Sequence, residues 1–123
     1  MAYQEILPYL NKILELEYLE YFLIISPIDH DYAYSQFTLN SDTELYWEVV
    51  SNNFLPEQHQ LGKTQKKSLI NMGFSLGPND VNYNQIIPIE TEELREKLAK
   101  QVQQIFVEIF YITVSGFEIE FDS

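Results

Sequence analysis

Apolar and polar residues change their period several times along the chain, and each change marks an element. Ile6, Leu10 and Ile13, with Leu7 and Leu14 beside them, recur at helical spacing, so residues 2–16 are predicted helical. Pro8 fits a helix only in its first turn, so this helix should start late or bend there. Residues 21–25, YFLII, are apolar at every position, as expected of an interior strand. The next residues, SPIDHD, are turn chemistry. Residues 32–39, YAYSQFTL, alternate: Ala33, Ser35, Phe37 and Leu39 share one face, and Tyr32, Tyr34, Gln36 and Thr38 share the other. After the polar turn NSDT, residues 44–51 alternate again, with Leu45, Trp47 and Val49 on one side. Three strands joined by short polar turns make an antiparallel meander.

The second half has fewer strands and a clearer helix. Residues 52–60 read as loop, and a short helix is predicted over about 64–72, with Thr64 as its N-cap and Gly73 in the left-handed position that ends it. Residues 83–89 suit a short extended segment terminated by Pro88. Thr91 can cap a long helix whose first turn holds Glu92 and Glu93. Its apolar stripe is Leu94, Leu98, Val102, Ile105, Phe106 and Ile109, and it should run to about Tyr111. Glu93 with Lys97, and Glu96 with Lys100, stand in the favourable i, i+4 order. The terminal GFEIEFDS alternates Phe117, Ile119 and Phe121 with Glu118, Glu120 and Asp122, a strand signal. That strand is expected to pair within its own domain, the other use being addition to a partner's edge. The prediction is a single α+β domain over residues 1–123, an antiparallel sheet (the three-stranded meander plus additional short strands) flanked by helices on one face.

Charge sharpens this picture. The formal net charge is −12, and no Lys or Arg occurs between Ile13 and Gly62, a span holding nine carboxylates from Glu15 to Glu57. Such a chain is repelled by nucleic acid and by anionic lipid, so neither is an expected partner. The absence of cysteine excludes disulfides, zinc–thiolate sites and cysteine nucleophiles. The opening residues carry no basic segment followed by an apolar run, and no apolar run is long enough to span a bilayer, so a cytoplasmic location is expected.

Catalytic signatures fail on inspection. Gly62-Lys63-Thr64 is how a phosphate-binding loop ends, but the position needing its first glycine is Glu57, and no strand precedes it. Asp29-His30-Asp31 packs metal-ligand types into one turn, where neighbours point apart, and His59 stands in a separate loop. Gly-x-Ser-x-Gly is absent. No cofactor, metal or enzymatic activity is expected. The aromatic positions are more informative: Tyr32, Tyr34 and Tyr46 share the meander's second face with Gln36, Thr38 and Glu48. Tyrosine offers area and a hydroxyl together, which suits a wet contact surface. Tyr32, Tyr34, Gln36, Tyr46 and Glu48 are therefore the candidate partner-binding residues.

The order of elements and several local strings resemble the superfamily joining YbjN-like proteins and type III secretion chaperones. The strings are Leu39 with ELYWEVVSNNFLP (44–56), LINMGFSLGP (69–78), Asn82-Tyr83 and the long helix. Val50-Ser51-Asn52, Met72-Gly73-Phe74, Pro78 and Asn82-Tyr83 fill the places of its structural motifs, with Phe74 where tryptophan is common. The resemblance implies a secretion-chaperone-like fold. It also implies a non-enzymatic chaperone or adaptor that holds an extended peptide segment of a client, often as a homodimer. The alternative, from charge alone, is an acidic inhibitor or nucleic-acid mimic acting on a basic partner.

Overall fold

The computed structural model describes residues 2–15 and 22–122. A 3₁₀ turn over Ala2–Glu5 leads into helix α1, Leu7–Ile13, with Pro8 in the first turn, where its missing N–H costs nothing. Strands β1 (Phe22–Pro27), β2 (Ser35–Ser41) and β3 (Glu44–Val49) form the meander. Residues 16 and 21, which the sequence pattern placed in the first helix and first strand, lie outside the described residues. Helix α2 (Lys63–Asn71), strand β4 (Tyr83–Pro88), helix α3 (Glu92–Gln104) and strand β5 (Phe117–Asp122) complete the order.

All five strands lie in one antiparallel sheet, in the order β4-β3-β2-β1-β5. The chain leaves β4 at one edge, crosses in α3, and returns as β5 at the other. β5 pairs with β1, from Pro27 opposite Phe117 to Phe22 opposite Asp122, so the terminal strand pairs within its own domain. The β4 edge is partly closed by Ser75, which exchanges two backbone hydrogen bonds with Asn84.

The alternation holds through the meander. Ser35, Phe37 and Leu39 on β2 are buried, as are Leu45, Trp47 and Val49 on β3, and the helices pack over this face. Trp47 is at the centre of the layer. Its ring stacks on Phe37 at 5.6 Å between centroids and meets Phe74 edge-on at 4.7 Å. Its indole N–H donates to the Ser35 hydroxyl at 3.1 Å. Leu10 and Ile13 of α1, Leu69 of α2, and Leu98, Ala99 and Val102 of α3 complete the same core.

The helix ends differ from expectation in two places. α2 begins one residue before Thr64, with Gly62 at the N-cap, because the Gln65 side chain accepts from the Gly62 N–H and Asn52 holds Leu61 by two hydrogen bonds. After Gln104 the last helix widens into a π turn over Ile105–Ile109. Ile105, Phe106, Ile109 and Phe110 are all buried at this end of the helix. The end of α2 is as expected. Gly73 has φ 103°, the Gly73 N–H donates to Ile70 and the Phe74 N–H to Leu69, so a Schellman turn swings Phe74 onto Trp47.

Replacing Ser35 by Ala is expected to lower unfolding stability by about 1–3 kcal/mol in denaturant titration, because the buried Trp47 N–H then has no acceptor.

Candidate functional site: the open face of the sheet

The period that buries one set of side chains turns the other set outward. Two rows cross the sheet on this second face. The first runs Ile86, Tyr46, Thr38, Phe22; the second runs Asn84, Glu48, Gln36, Ile24, Glu120. Phe22, Ile24, Gln36, Thr38, Tyr46 and Glu48 are half-buried, and Ile86 is 52% exposed. Among the described residues, Phe22, Ile24, Tyr46 and Ile86 take no part in the core on the helical side. They form a patch of apolar and aromatic surface set among carboxylates and amides.

Four of the five residues singled out from the sequence come together here. Gln36, Tyr46 and Glu48 sit in the two rows, and Tyr34 stands just beyond the start of β2, its carbonyl accepting from the Val50 N–H. Tyr32 is placed differently. It precedes β2, in the β1–β2 connection, where its ring stacks on His59 at 3.8 Å and 9°. His30 meets the same ring edge-on at 5.8 Å. Strand alternation does not extend back to Tyr32, because the chain is turning at that point.

Asn82, a structural-motif position in the sequence and not one of the five candidates, holds the Tyr34 hydroxyl. It is buried, its side-chain carbonyl accepts from the Ser51 N–H at 3.1 Å, and its amide donates to the Tyr34 hydroxyl at 3.3 Å. The Ser51 hydroxyl donates to the Val81 carbonyl. The strings around Ser51 and Asn82, far apart in sequence, thus form one hydrogen-bonded clamp that ties the end of β3 to the start of β4 under Tyr34. Phe22, Ile24 and Ile86 were not among the candidates either. An all-apolar run does not say which of its faces is covered, and a short edge strand gives a weak pattern. The outward glutamates of β5 were visible as an alternation, but not the strand they lie beside.

The electrostatics are one-sided. All seven Lys and Arg residues lie on helices: Lys12 on α1, Lys63, Lys66 and Lys67 on α2, and Arg95, Lys97 and Lys100 on α3. The strands carry none. Burial raises the Glu48 carboxyl above its ordinary value, Asp80 adds to the rise by its charge, and a hydrogen bond from Asn82 opposes it. Burial likewise raises the Tyr46 hydroxyl, with Glu48 and Asp80 adding to the effect.

A carboxylate raised by burial binds its proton more tightly in the folded chain than in the unfolded one. Ionising Glu48 therefore costs stability as pH rises above the ordinary value of 4.5. The Glu48→Gln variant is expected to be more stable than the parent at neutral pH and equal to it well below pH 4.5, as read by thermal unfolding across pH.

No helix among the described residues is long and apolar enough to cross a membrane. Among curated proteins and among solved structures, no significant match to the chain exists. Residues 13–117, which include strands β1 to β4 and helices α2 and α3, match the family described as T3SS (YopN, CesT) and YbjN peptide-binding chaperone 3. The chain belongs to that family of peptide-binding chaperones, TY-Chap3.

Proposed function

We propose that the protein is a non-enzymatic chaperone or adaptor that holds an extended segment of a client protein across the open face of its sheet. The observation that carries this reading is the face itself. It has five strands, with aromatic and aliphatic side chains set among hydrogen-bonding groups and uncovered by any described helix. An extended peptide has side chains alternating at the strand period, so it can lay one set on such a surface and keep the other in water. Membership of a peptide-binding chaperone family supports the same reading. The proposal includes a cytoplasmic location, expected from the opening residues and the short apolar runs, and assembly as a homodimer, expected from the resemblance.

Tyr34 and Tyr46 are the anchors in this reading, with Gln36 and Glu48 supplying polar contacts between them. Tyrosines at the centre of a contact surface commonly carry much of its binding free energy. Tyr32, stacked on His59, borders the surface and holds the connection beside it.

The test uses short peptides selected on the immobilised chain from a randomised display library. The double variant Tyr34→Ser, Tyr46→Ser is expected to bind the selected peptides about tenfold more weakly or worse. Unchanged affinity would place the binding surface elsewhere. A charge-driven inhibitor would instead lose its ligand steeply as salt rises and would be indifferent to the tyrosines.

A further inference from the structure

At the β1–β5 end of the open face is a depression of about 270 Å³, lined by Ile24, Ser26, Asp31, Tyr34, Glu118 and Glu120, with Ile119 beside them. We propose that it is a subsite for one basic side chain, lysine or arginine, of the bound segment. This rests on the peptide-binding reading and specifies what that peptide must carry.

Four observations converge on a basic side chain. First, Asp31, Glu118 and Glu120 are exposed carboxylates around a single hollow, and the protein's own cations are all on the helices. The one ion pair among the described residues, Glu96 with Lys100, lies within α3. Second, Ser26 is only 8% exposed and lines the hollow, yet its hydroxyl makes no hydrogen bond among the described residues. The rest of the residue is enclosed, and the hydroxyl is open to the hollow, where an incoming N–H donor would supply a partner. Third, Ile24 and the Tyr34 ring give the hollow an apolar wall. A long basic side chain has an aliphatic stem to lay on such a wall, and its charged head gains further from an aromatic face. Fourth, the size fits. Small-molecule sites run from roughly 300 to 1,000 Å³, so this hollow suits a side chain better than a cofactor.

The same observations exclude other occupants. An anion would meet three carboxylates. A bare metal ion needs ligands gathered around a point, and no group of three His, Cys, Asp or Glu among the described residues is close enough to hold one. A guanidinium or ammonium on a flexible stem can instead satisfy carboxylates spread around a rim.

The location fixes the register as well. Ile24 and Glu120 belong to the row that passes through Gln36 and Glu48, and Tyr34 stands at the end of the Asn82 clamp. A segment anchored on Tyr34 and Tyr46 would therefore bring one residue, at a fixed offset, over the hollow.

The experiment pans one randomised library of short peptides against three full-length proteins. They are the parent, the variant Glu118→Gln with Glu120→Gln, and the control Asp42→Asn with Glu57→Gln, which removes the same charge at exposed sites away from the hollow. The expected result is a single position enriched in Arg or Lys on the parent and the control, with that enrichment lost on the Glu118/Glu120 variant. Peptides selected on the parent should bind that variant about tenfold more weakly and the control within about twofold. Enriched peptides with no basic position, or a basic preference lost equally on the control, would overturn the subsite and leave the peptide-binding reading standing. Failure of the parent to enrich any peptide would overturn both. Thermal unfolding of each variant confirms that all three are folded.

Discussion

The packing of Trp47 is the constraint on which the rest of this structure depends. The indole is fully buried and is held from three directions: by Phe37 on the neighbouring strand, by Phe74 arriving from the end of α2, and by the Ser35 hydroxyl. Side chains alternate along a strand, so fixing Trp47 inward fixes Tyr46 and Glu48 outward. Pairing then carries the same choice across the sheet. Phe37 goes in and Gln36 and Thr38 go out on β2, and Leu23 and Ile25 go in while Phe22 and Ile24 go out on β1. A one-residue slip would exchange the two faces, placing Glu48 and Gln36 in the core at a cost the fold could not sustain.

From this follows a molecule with two unlike sides. Helices cover one side and carry every lysine and arginine. Among the described residues the other side is bare sheet, with exposed and half-buried carboxylates, tyrosines and isoleucines. The acidic composition alone suggests only solubility and repulsion of polyanions. Placed on this fold, it leaves the strands with carboxylates and no lysine or arginine. The clamp made by Ser51 and Asn82 belongs to the same design, since it fixes the start of β4 and steadies the Tyr34 hydroxyl through one buried amide.

Much of this was legible in the sequence, because alternation and helical spacing report directly on which residues face a core. The meander, the Thr91 cap, the Gly73 turn and the α+β class all follow from local patterns. What was not legible depends on contacts between distant segments. The pairing of β5 with β1 places Glu118 and Glu120 beside Ser26 and Ile24, and nothing in FEIEFD names that neighbour. The stacking of Tyr32 on His59 joins two loops, and the period that would place Tyr32 on the sheet ends before the strand begins. The Gly62 cap owes its position to Gln65 and to the grip of Asn52 on Leu61, whereas local preference favoured Thr64. Of the candidate site, the tyrosine rows were readable, and the amide clamp and acidic hollow were not.

The central claim is that the client lies on the bare sheet. The most direct measurement is a titration of a selected peptide into the chain labelled at its isoleucine methyl groups, followed by NMR. The account predicts that Ile24 and Ile86, on the open face, shift strongly, while Ile6, Ile13 and Ile105, buried under the helices, barely move. Shifts concentrated at the helix-side methyls, with Ile24 and Ile86 unmoved, would contradict it.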